Sequence, residues 1–421
     1  MNKSKIVGGI ELGSAKISTL LAQVATDEAG LGISVSIVGA ASCESKGIKK
    51  GQIVNIDEAV EATISSVEAA ERMAGYNLEN AFISLGGAHI HSQNSHGVVA
   101  VSDPNGEIIV EDVERVNDAA AAISVPQSRE VVHVIPKEYI VDGEGGVKDP
   151  VGMSGIRLEV ETHIVTASSA AMKNLRKAVK EVGVEINDFV YSAIASSDAV
   201  LSETEKELGC VLVDIGGGTT SICVFTEGSP TYSSVIPVGA KNVTNDLAIG
   251  LRVSLESAER IKLLLSAIDK KAKKDEMDEL DLSDIDLPEL RKISKKTLTE
   301  GIIKPRLNEI FTMVRLELEK EGLSNRVPSG VIITGGGALT VGCLESAKRS
   351  TLLPARIGKP QGLSGLVDDI IDPAYATVAG LIIYGIKNPS QEVLTSFAKR
   401  IKLPTKGLMG KFVGMIKDLL P

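Results

Sequence analysis

The chain has 421 residues, enough for two or more domains, and its formal net charge is −10. This charge argues against nucleic acid as a partner, because a general nucleic-acid-binding surface needs an excess of basic residues. Hydrophobic residues make up 43% of the chain, but aromatic residues make up only 3% and there is no tryptophan. The core must therefore be filled by Val, Ile, Leu and Ala, as is usual in α/β folds.

Cysteine usage and the terminal segments predict a cytoplasmic protein without a membrane span. The four cysteines show no CxxC spacing and three lie in apolar runs, so they are predicted to be reduced core residues. Residues 1–5 lead directly into a strand, which predicts that there is no signal peptide. The longest uncharged apolar run near the end, 376–386, is too short to cross a bilayer.

The first predicted elements are a strand, a polar turn and a second strand. Apolar β-forming residues occupy 6–10 and 17–24, and the turn 11–16 contains an acid, a glycine, a serine and a lysine. Lys16 adds a cation where a nucleotide phosphate could lie, although a solvated lysine on a strand would look the same.

A helix and a strand follow, and the composition of the sequence then changes. Helical periodicity predicts the helix 57–74, with Asp57 as its N-cap, and the strand 81–85 comes next. The segment 86–161 holds four of the five histidines and is predicted to be an inserted α+β subdomain. Its predicted strand, helix and strand lie at 97–101, 110–123 and 131–135. The HxHxxxxH spacing of His89, His91 and His96 favours a polar strand face over a metal site.

Two helices of small residues are predicted, at 193–200 and at 372–380. The first of them follows a strand at 158–167, a helix at 170–182 and a strand at 188–192. Small side chains let helices approach closely, as a hinge between two halves of a protein requires.

The stretch 210–220, CVLVDIGGGTT, repeats the plan of the first hairpin. A buried strand at 211–213 leads to Asp214, three glycines and two threonines, and a second strand follows at 221–225. Glycines let the backbone approach an anion, successive amides form an anion site, and a carboxylate can hold Mg²⁺. Alone, the stretch fits a plain glycine-rich hairpin equally well. Its repetition indicates a duplicated domain with a nucleotide cleft between the halves.

The remaining central segments are predicted to be helices, a charged loop and a third glycine-rich tip. Helices are predicted at 247–251 and 254–266, and the densely charged run 269–286 is predicted to be a solvated loop or helix tip. On one helix, the basic residues Arg291, Lys292, Lys295 and Lys296 would share a face, either simply solvated or docking an acidic partner. A strand with a glycine-rich tip occupies 330–339.

The C-terminal segment is predicted to be a basic linker, 387–407, followed by an amphipathic helix, 408–420. At about 1.5 Å per residue the helix is roughly 20 Å long, shorter than the ~30 Å hydrocarbon core of a bilayer. We expect it to lie in the interface of an anionic membrane, although a core helix that folds back is the alternative. Its apolar stripe is formed by Leu408, Phe412, Met415, Ile416, Leu419 and Leu420, and Lys411 and Lys417 take the other face.

Three glycine-rich tips and two hinge helices together resemble the actin/Hsp70/hexokinase superfamily of ATPases. Within it, the chain resembles the FtsA family of bacterial cell-division proteins over almost its whole length. The matching stretches are GIELGSAK (9–16), HVIPKEYIVD (133–142), DPVGMSGIRLE (149–159), AIASSDAVL (193–201), ELGCVLVDIGGGTT (207–220) and RIGKPQGLSGL (356–366).

The resemblance implies an α/β, actin-like duplicated fold with two halves around a nucleotide cleft, a family-specific α+β insertion and a C-terminal amphipathic helix. The implied divisions are subdomain 1A (1–85, 162–194 and 372–386), inserted subdomain 1C (86–161), subdomain 2A (195–226 and 303–371), subdomain 2B (227–302), a linker (387–407) and a membrane-targeting helix (408–421).

The resemblance also implies ATP with Mg²⁺ in the cleft, the metal being held near Asp214 and Glu11. Nucleotide contacts are expected from Gly13, Ser14, Ala15, Lys16, Gly216, Gly217, Gly218, Thr219, Thr220, Glu259, Lys262, Gly335, Gly336, Gly337 and Ala338. Arg306, and less strongly Lys296 and Lys295, are expected to bind the C-terminal tail of the tubulin homologue FtsZ. Membrane contacts are expected from Leu408, Lys411, Phe412, Met415, Ile416, Lys417, Leu419 and Leu420.

The implied function is recruitment at the division site. ATP would favour polymerisation into filaments, the terminal helix would attach them to the inner face of the cytoplasmic membrane, and the insertion would serve polymer contacts and later division proteins. Two departures predict slow or negligible ATP turnover: Glu11 replaces the usual Asp, and no Glu or Gln at 193–198 is placed to orient water.

Three alternatives belong to the same superfamily. A small-molecule kinase would need a carboxylate base that the sequence does not offer, and fast turnover stimulated by a metabolite would identify it. An Hsp70-like chaperone would need a β-rich peptide-binding domain after the ATPase. Another membrane-tethered actin homologue would not bind the FtsZ tail.

Overall fold

The computed structural model describes residues 5–26, 33–271, 278–281, 292–366 and 370–388. The chain begins by building the first of two lobes. Its opening elements are β1 (Lys5–Leu12), β2 (Lys16–Thr26), β3 (Ile33–Glu44), β4 (Ile48–Lys49), β5 (Gln52–Ile53), α1 (Ile56–Ala74) and β6 (Asn80–Leu85). Strands β1, β2 and β3 are antiparallel neighbours, whereas β6 pairs with β1 in parallel. This mixed sheet carries the core of the first lobe.

The insertion has its own antiparallel sheet and small core. It contains β7 (His91–Ala100), α2 (Val110–Ala121), β8 (Arg129–Val141), β9 (Glu144–Val147) and β10 (Arg157–Ser168), in the sheet order β7-β10-β8-β9. Val116 and Ala120 of α2 are fully buried against Leu158 and Val160 of β10. The predicted α+β insertion is therefore present, and β10 runs on from it towards the first lobe.

The chain then returns to the first lobe with three elements, and a fourth packs against the second lobe. These are α3 (Ser169–Val182), β11 (Glu185–Tyr191), α4 (Ser192–Val200) and α5 (Glu203–Leu208). Strand β11 pairs in parallel with β6 and forms an edge of the sheet. Helix α4 is buried along almost its whole length, because its side chains are small and face the other lobe.

The second lobe repeats this plan around a five-stranded sheet with the order β14-β13-β12-β17-β18. Its first elements are β12 (Cys210–Ile215), β13 (Thr220–Thr226), β14 (Ser229–Ile236), α6 (Ala240–Leu251), α7 (Leu255–Lys271), β15 (Glu279–Asp281), β16 (Lys292–Ser294), α8 (Lys295–Leu298), a π-helix (Thr299–Ile303) and α9 (Lys304–Lys320). They are followed by β17 (Val331–Thr334), a 3₁₀ turn (Gly336–Leu339), α10 (Cys343–Thr351) and β18 (Ala355–Ile357). The last elements, which return to the first lobe, are β19 (Ser364–Gly365), a 3₁₀ turn (Pro373–Tyr375) and α11 (Ala376–Lys387).

Three local predictions are wrong, each for a physical reason. Asn55, not Asp57, caps α1, since its side chain accepts from the Glu58 amide. Helix α6 begins at Ala240, seven residues before the predicted 247, after an N-cap at Gly239 that is held by the Asn242 side chain. The basic run is not one helix face, because Lys292 lies in β16 while α8 begins at Lys295.

Two strands and two domain boundaries also differ from the prediction. Strand β3 was not predicted, nor was β14, whose residues are rich in Ser, Thr and Tyr because one face contacts the insertion. Since β14 completes the sheet of the second lobe, residues 229–236 lie with subdomain 2A and not 2B. Strand β19 pairs with β3, so residues 364–365 join the sheet of the first lobe.

Helices α4 and α11 join the two lobes and pack closely on each other. A Cβ atom added at Gly380 of α11 would lie 1.8 Å from the carbonyl oxygen of Ala195 in α4. The two helices are the predicted hinge helices, and their approach requires a residue without a side chain. Tyr191, just before α4, is fully buried and donates to the carbonyl oxygens of Ile222 and Ser234 in the second lobe.

Candidate nucleotide cleft

A cavity of about 160 Å³ lies where the two lobes meet. It is surrounded by the ends of β1, β6, β12 and β17 and by the first turns of the hinge helices. Its lining residues are Glu11, Leu12, Gly13, Ser14, Ala15, Lys16, Gly51, Ser84, Gly86, Ser192, Asp214, Gly216, Gly217, Thr219, Ser221, Gly335, Gly336, Ala374 and Thr377. The structure therefore brings together all three predicted glycine-rich tips.

The tips of the first two hairpins contact each other across the cleft. A Cβ atom at Gly217 would lie 2.6 Å from the Cβ of Ala15, and one at Gly218 would lie 3.0 Å from the Ser14 hydroxyl oxygen. Lys241 of α6 donates to the Ser14 carbonyl oxygen at 2.8 Å, which adds a contact between the lobes. The glycines are needed here because the backbones meet where a side chain would stand.

Both turns leave amide groups available for an anion. The Gly13 amide donates to the Lys16 carbonyl, and the Gly216 amide donates to the Thr219 carbonyl, which closes each turn. The amides of the residues inside the turns donate no hydrogen bond to any described residue; these are Ser14, Ala15, Gly217 and Gly218. Adjacent free amides in a turn form a concave site for phosphate oxygens.

Asp214, at the end of β12, is buried and held by both hinge helices. The Ser196 hydroxyl of α4 donates to its carboxylate at 2.6 Å, and the Thr377 hydroxyl of α11 donates at 3.0 Å. Burial raises the pKa of Asp214, while these two hydrogen bonds and the charge of Lys16 oppose the rise. The carboxylate is thus fixed in position at a site where its own charge is disfavoured.

Glu11, at the end of β1, carries the second carboxylate of the cleft. One of its oxygens, Oε2, is buried and accepts no hydrogen bond from the described residues. Burial raises its pKa to about 7; the charge of Lys16 opposes the rise and the charge of Asp214 adds to it. A buried carboxylate oxygen without a partner is unfavourable, and a divalent cation or its water shell would satisfy it. The two acids therefore fit Mg²⁺.

The raised pKa of Glu11 predicts a dependence of stability on pH. Between its ordinary value of 4.5 and about 7, the folded protein holds a proton that the unfolded chain has lost. The free energy of unfolding should therefore fall as the pH rises through this window, by roughly 3 kcal/mol at most. Glu11→Gln removes this ionisation, so nucleotide-free Glu11→Gln should be more stable than the parent at pH 8 and similar at pH 5.

Urea unfolding of both proteins at pH 5, 6, 7 and 8, without nucleotide or metal, measures this difference. A constant difference across the series would show that Glu11 does not titrate in this window.

The other predicted nucleotide contacts lie at different depths around the cavity. Lys16 places its ammonium 3.4 Å from the ring centroid of Tyr375, which holds it at the mouth of the cleft. Gly337 lies behind the cavity wall, against Ile215, and Ala338 is buried beside it. Thr220 is also buried, and its hydroxyl donates to the Val238 carbonyl, so it supports the turn.

Glu259 and Lys262 lie on α7 and interact with each other. The Lys262 ammonium is 2.7 Å from a Glu259 carboxylate oxygen and 3.0 Å from the Thr244 hydroxyl of α6, which also donates to Glu259. Neither residue lines the cavity. Their expected contact with ribose or adenine stays a prediction.

The three residues predicted to bind an acidic tail lie apart from the cleft, around α8 and α9. Arg306 makes two hydrogen bonds to Asp246, at 2.6 and 3.0 Å, and a third to Glu309. The Lys296 amide donates to Asp278, and Lys295 is its neighbour in the first turn of α8. Their role stays a prediction.

The predicted membrane-contacting residues, 408–420, lie outside the described residues, as does the linker from 389 onwards. Within the described ranges, no helix has both the length and the apolar character to cross a membrane. Two histidines of the insertion have protein partners: His96 lies 2.9 Å from Glu159, and His89 accepts from the Ser168 amide.

Sequence reasoning missed the hydroxyl groups that position Asp214. Ser196 and Thr377 belong to the two segments predicted as hinge helices, where only their small size was considered. Both are polar residues in otherwise apolar helices, and this signal was available. Lys241 and Tyr375 were also missed, because their contacts with the first hairpin exist only in the folded chain.

Solved structures share this architecture at low sequence identity. The "PilM-PilN type IV pilus biogenesis complex" matches with a TM-score of 0.62 at 16% identity, covering 91% of this chain and 99% of that one. MreB5 of Spiroplasma citri, solved bound to ADP, matches with a TM-score of 0.51 at 13% identity, covering 94% and 99%. The paired lobes and the two helices that join them therefore define an actin-like fold.

Sequence comparison narrows this class to one family. The model "SHS2 domain inserted in FTSA" matches residues 87–166, and the model "Cell division protein FtsA" matches residues 211–380. The FtsA protein of Pseudomonas aeruginosa is 38% identical over 93% of this chain and 91% of its own length. That of Bacillus subtilis is 38% identical over 92% and 85%. The chain belongs to the FtsA family of cell-division proteins.

Proposed function

We propose that this protein is an ATP-dependent scaffold of cell division, which polymerises on the cytoplasmic membrane, anchors the FtsZ ring to it and recruits later division proteins. ATP binding is supported by the pair of facing turns, which lie beside two buried carboxylates and have free amides at Ser14, Ala15, Gly217 and Gly218. ATP supplies the phosphates for these amides, and Mg²⁺ supplies a cation for Asp214 and Glu11.

Slow turnover is supported by the roles that the cleft residues already have. The acids lining the cavity are Glu11 and Asp214. Asp214 is held by two hydroxyls, and Glu11 is suited to the metal, so neither is free to orient an attacking water. The bound nucleotide would act by holding the lobes together at the contact between the tips, rather than through rapid hydrolysis.

The contacts with partners are proposed on different parts of the molecule. The FtsZ tail is expected around Arg306, where the acidic partners Asp246 and Glu309 hold the guanidinium in a fixed orientation. An acidic tail would compete with these carboxylates for the same donors. The inserted subdomain, with its separate core, is the proposed surface for later division proteins.

Membrane attachment is proposed through the helix 408–420. A chain that ends after Gly407 should lose binding to anionic vesicles while it still binds ATP, because the cleft lies entirely within residues 11–377. Co-sedimentation of full-length and shortened protein with vesicles, with and without ATP, measures both properties. Sedimentation of the shortened chain would show that this helix is not the anchor.

A further inference from the structure

Helix α3 carries an exposed basic face on the surface of the first lobe. Lys173, Arg176, Lys177 and Lys180 follow each other at steps of three, one and three residues, which places all four on one side of the helix. They surround a shallow depression with Glu181 as the acid among its lining residues. The opposite side of the helix packs into the core through Met172, Leu175, Ala178 and Val179. The basic residues are therefore not needed for packing.

Few carboxylates within the described residues neutralise this face. Lys177 lies 3.6 Å from Glu181, and Arg176 lies 3.9 Å from Glu130 while it stacks on the Phe189 ring. Lys173 and Lys180 are exposed and form no ion pair with any described residue. Exposed lysines without an ion-pair partner are available to interact with an external anion.

The basic face of α3 lies next to exposed acidic side chains of the first lobe. Helix α1 packs beside α3 and exposes Glu61 and Glu68, and the chain as a whole has a net charge of −10. Against this acidic background, four basic residues on one helix form a distinct positive surface.

The same edge of the sheet leads to the start of the C-terminal tail. Strand β11 is the edge strand, and its Phe189 contacts Arg176 of α3. The preceding residue, Asp188, accepts a hydrogen bond from Tyr384 in the last turn of α11 at 3.4 Å. Because adjacent residues of a strand point to opposite faces of the sheet, α3 and α11 lie on opposite faces at this same edge, and residues 389–421 follow α11.

We infer that the basic face of α3 is a second contact with an anionic lipid surface, beside the terminal helix. The inference rests on the proposed membrane attachment. Membrane binding of an amphipathic helix strengthens with electrostatic attraction to anionic lipids, so a basic surface elsewhere on the chain would add to the attachment. A helix tethered after α11 would keep this edge of the first lobe near the bilayer, where the basic residues of α3 could contact the phosphate groups. A lipid surface is favoured over an acidic protein because the tail begins at the same edge of the sheet.

The test neutralises α3 in the full-length protein by K173Q, K177Q and K180Q together. Each basic residue near an anionic surface contributes about fivefold to partitioning, so the loss should be at least about tenfold and at most roughly 100-fold. Binding is measured by co-sedimentation with vesicles of phosphatidylglycerol and phosphatidylcholine, at ~0.05 and ~0.3 M salt because salt screens such contacts. ATP binding and thermal unfolding verify that the variant is folded.

The matched control is K348Q, R349Q and K359Q, which removes three exposed basic residues of the second lobe. It changes the net charge equally and should bind vesicles as the parent does. If the two triple variants bind alike, the α3 face is not a lipid contact, and an acidic protein becomes its candidate ligand. If the parent chain itself fails to bind anionic vesicles, the proposed membrane attachment fails together with this inference. The two failures are therefore distinguishable.

Discussion

Gly380→Ala should destabilise the protein by about 1–3 kcal/mol, the usual cost of overpacking a close contact. In a helix, alanine is ordinarily favoured over glycine by about 1 kcal/mol. Here the added methyl group would lie 1.8 Å from the Ala195 carbonyl oxygen, so the steric clash outweighs the gain in helix propensity. Helices α4 and α11 must separate, and the substitution should also weaken ATP binding, because Ser196 and Thr377 hold Asp214 from these helices.

Gly301→Ala is the matched control for this prediction. It too replaces a helical glycine, in the π-helix, but a Cβ atom at this position meets no atom within 4 Å. We expect its stability to be unchanged or slightly raised. Urea unfolding and ATP titration of both variants measure the difference. Equal stability of the two variants would show that the helices adjust to a methyl group at Gly380.

Asp214→Asn should lower the affinity for Mg·ATP by about 100-fold, as expected for the loss of one strong contact to a charged group. The stability of the nucleotide-free protein should not fall, because burial already disfavours the ionised carboxylate, as its raised pKa shows. The asparagine side-chain oxygen still accepts from Ser196 and Thr377. We therefore expect Asp214→Asn to weaken Mg·ATP binding without lowering stability, which is the result for a carboxylate that is needed for the ligand and not for the fold.

Asp112→Asn provides the contrast within the same chain. Burial disfavours the charge of Asp112, but hydrogen bonds from Arg115 and Ser102 outweigh it and lower the pKa to about 2. A lowered pKa means that the ionised form stabilises the fold above about pH 4. At pH 7, Asp112→Asn should therefore lose stability and keep ATP binding. Loss of stability in Asp214→Asn at pH 7 would contradict the interpretation that the Asp214 carboxylate is needed for the ligand and not for the fold.

The hydrogen bonds of Asp214 suggest how the cleft communicates with the hinge. The Ser196 and Thr377 hydroxyls lie 3.0 Å apart and both donate to the same carboxylate. A cation bound at Asp214 would compete with these donors for the carboxylate oxygens. The two helices would then respond to the metal–nucleotide complex through differential contacts, as a ligand-dependent change of conformation requires.

The residues at the glycine-rich tips, and the strands that lead into them, could be predicted from the sequence alone. A strand that ends in an acid and glycines is a local pattern, and its chemistry depends on backbone amides that belong to the same turn. The hinge helices could be predicted for a similar reason, since the small residues needed for close contact are adjacent in the chain. The inserted subdomain was visible as a change of composition over 86–161.

The groups that meet across the lobes could not be predicted from the sequence. The contact of Gly217 with Ala15 and the hydrogen bond from Thr377 to Asp214 join segments that are more than 150 residues apart. The orphaned oxygen of Glu11 depends on burial that no local pattern encodes. Strand β14 was not predicted, because its polar side chains and backbone make hydrogen bonds with the inserted subdomain, which the local sequence does not reveal. The pairing of β19 with β3 shows the same limit, because register across 329 residues is set by packing and not by periodicity.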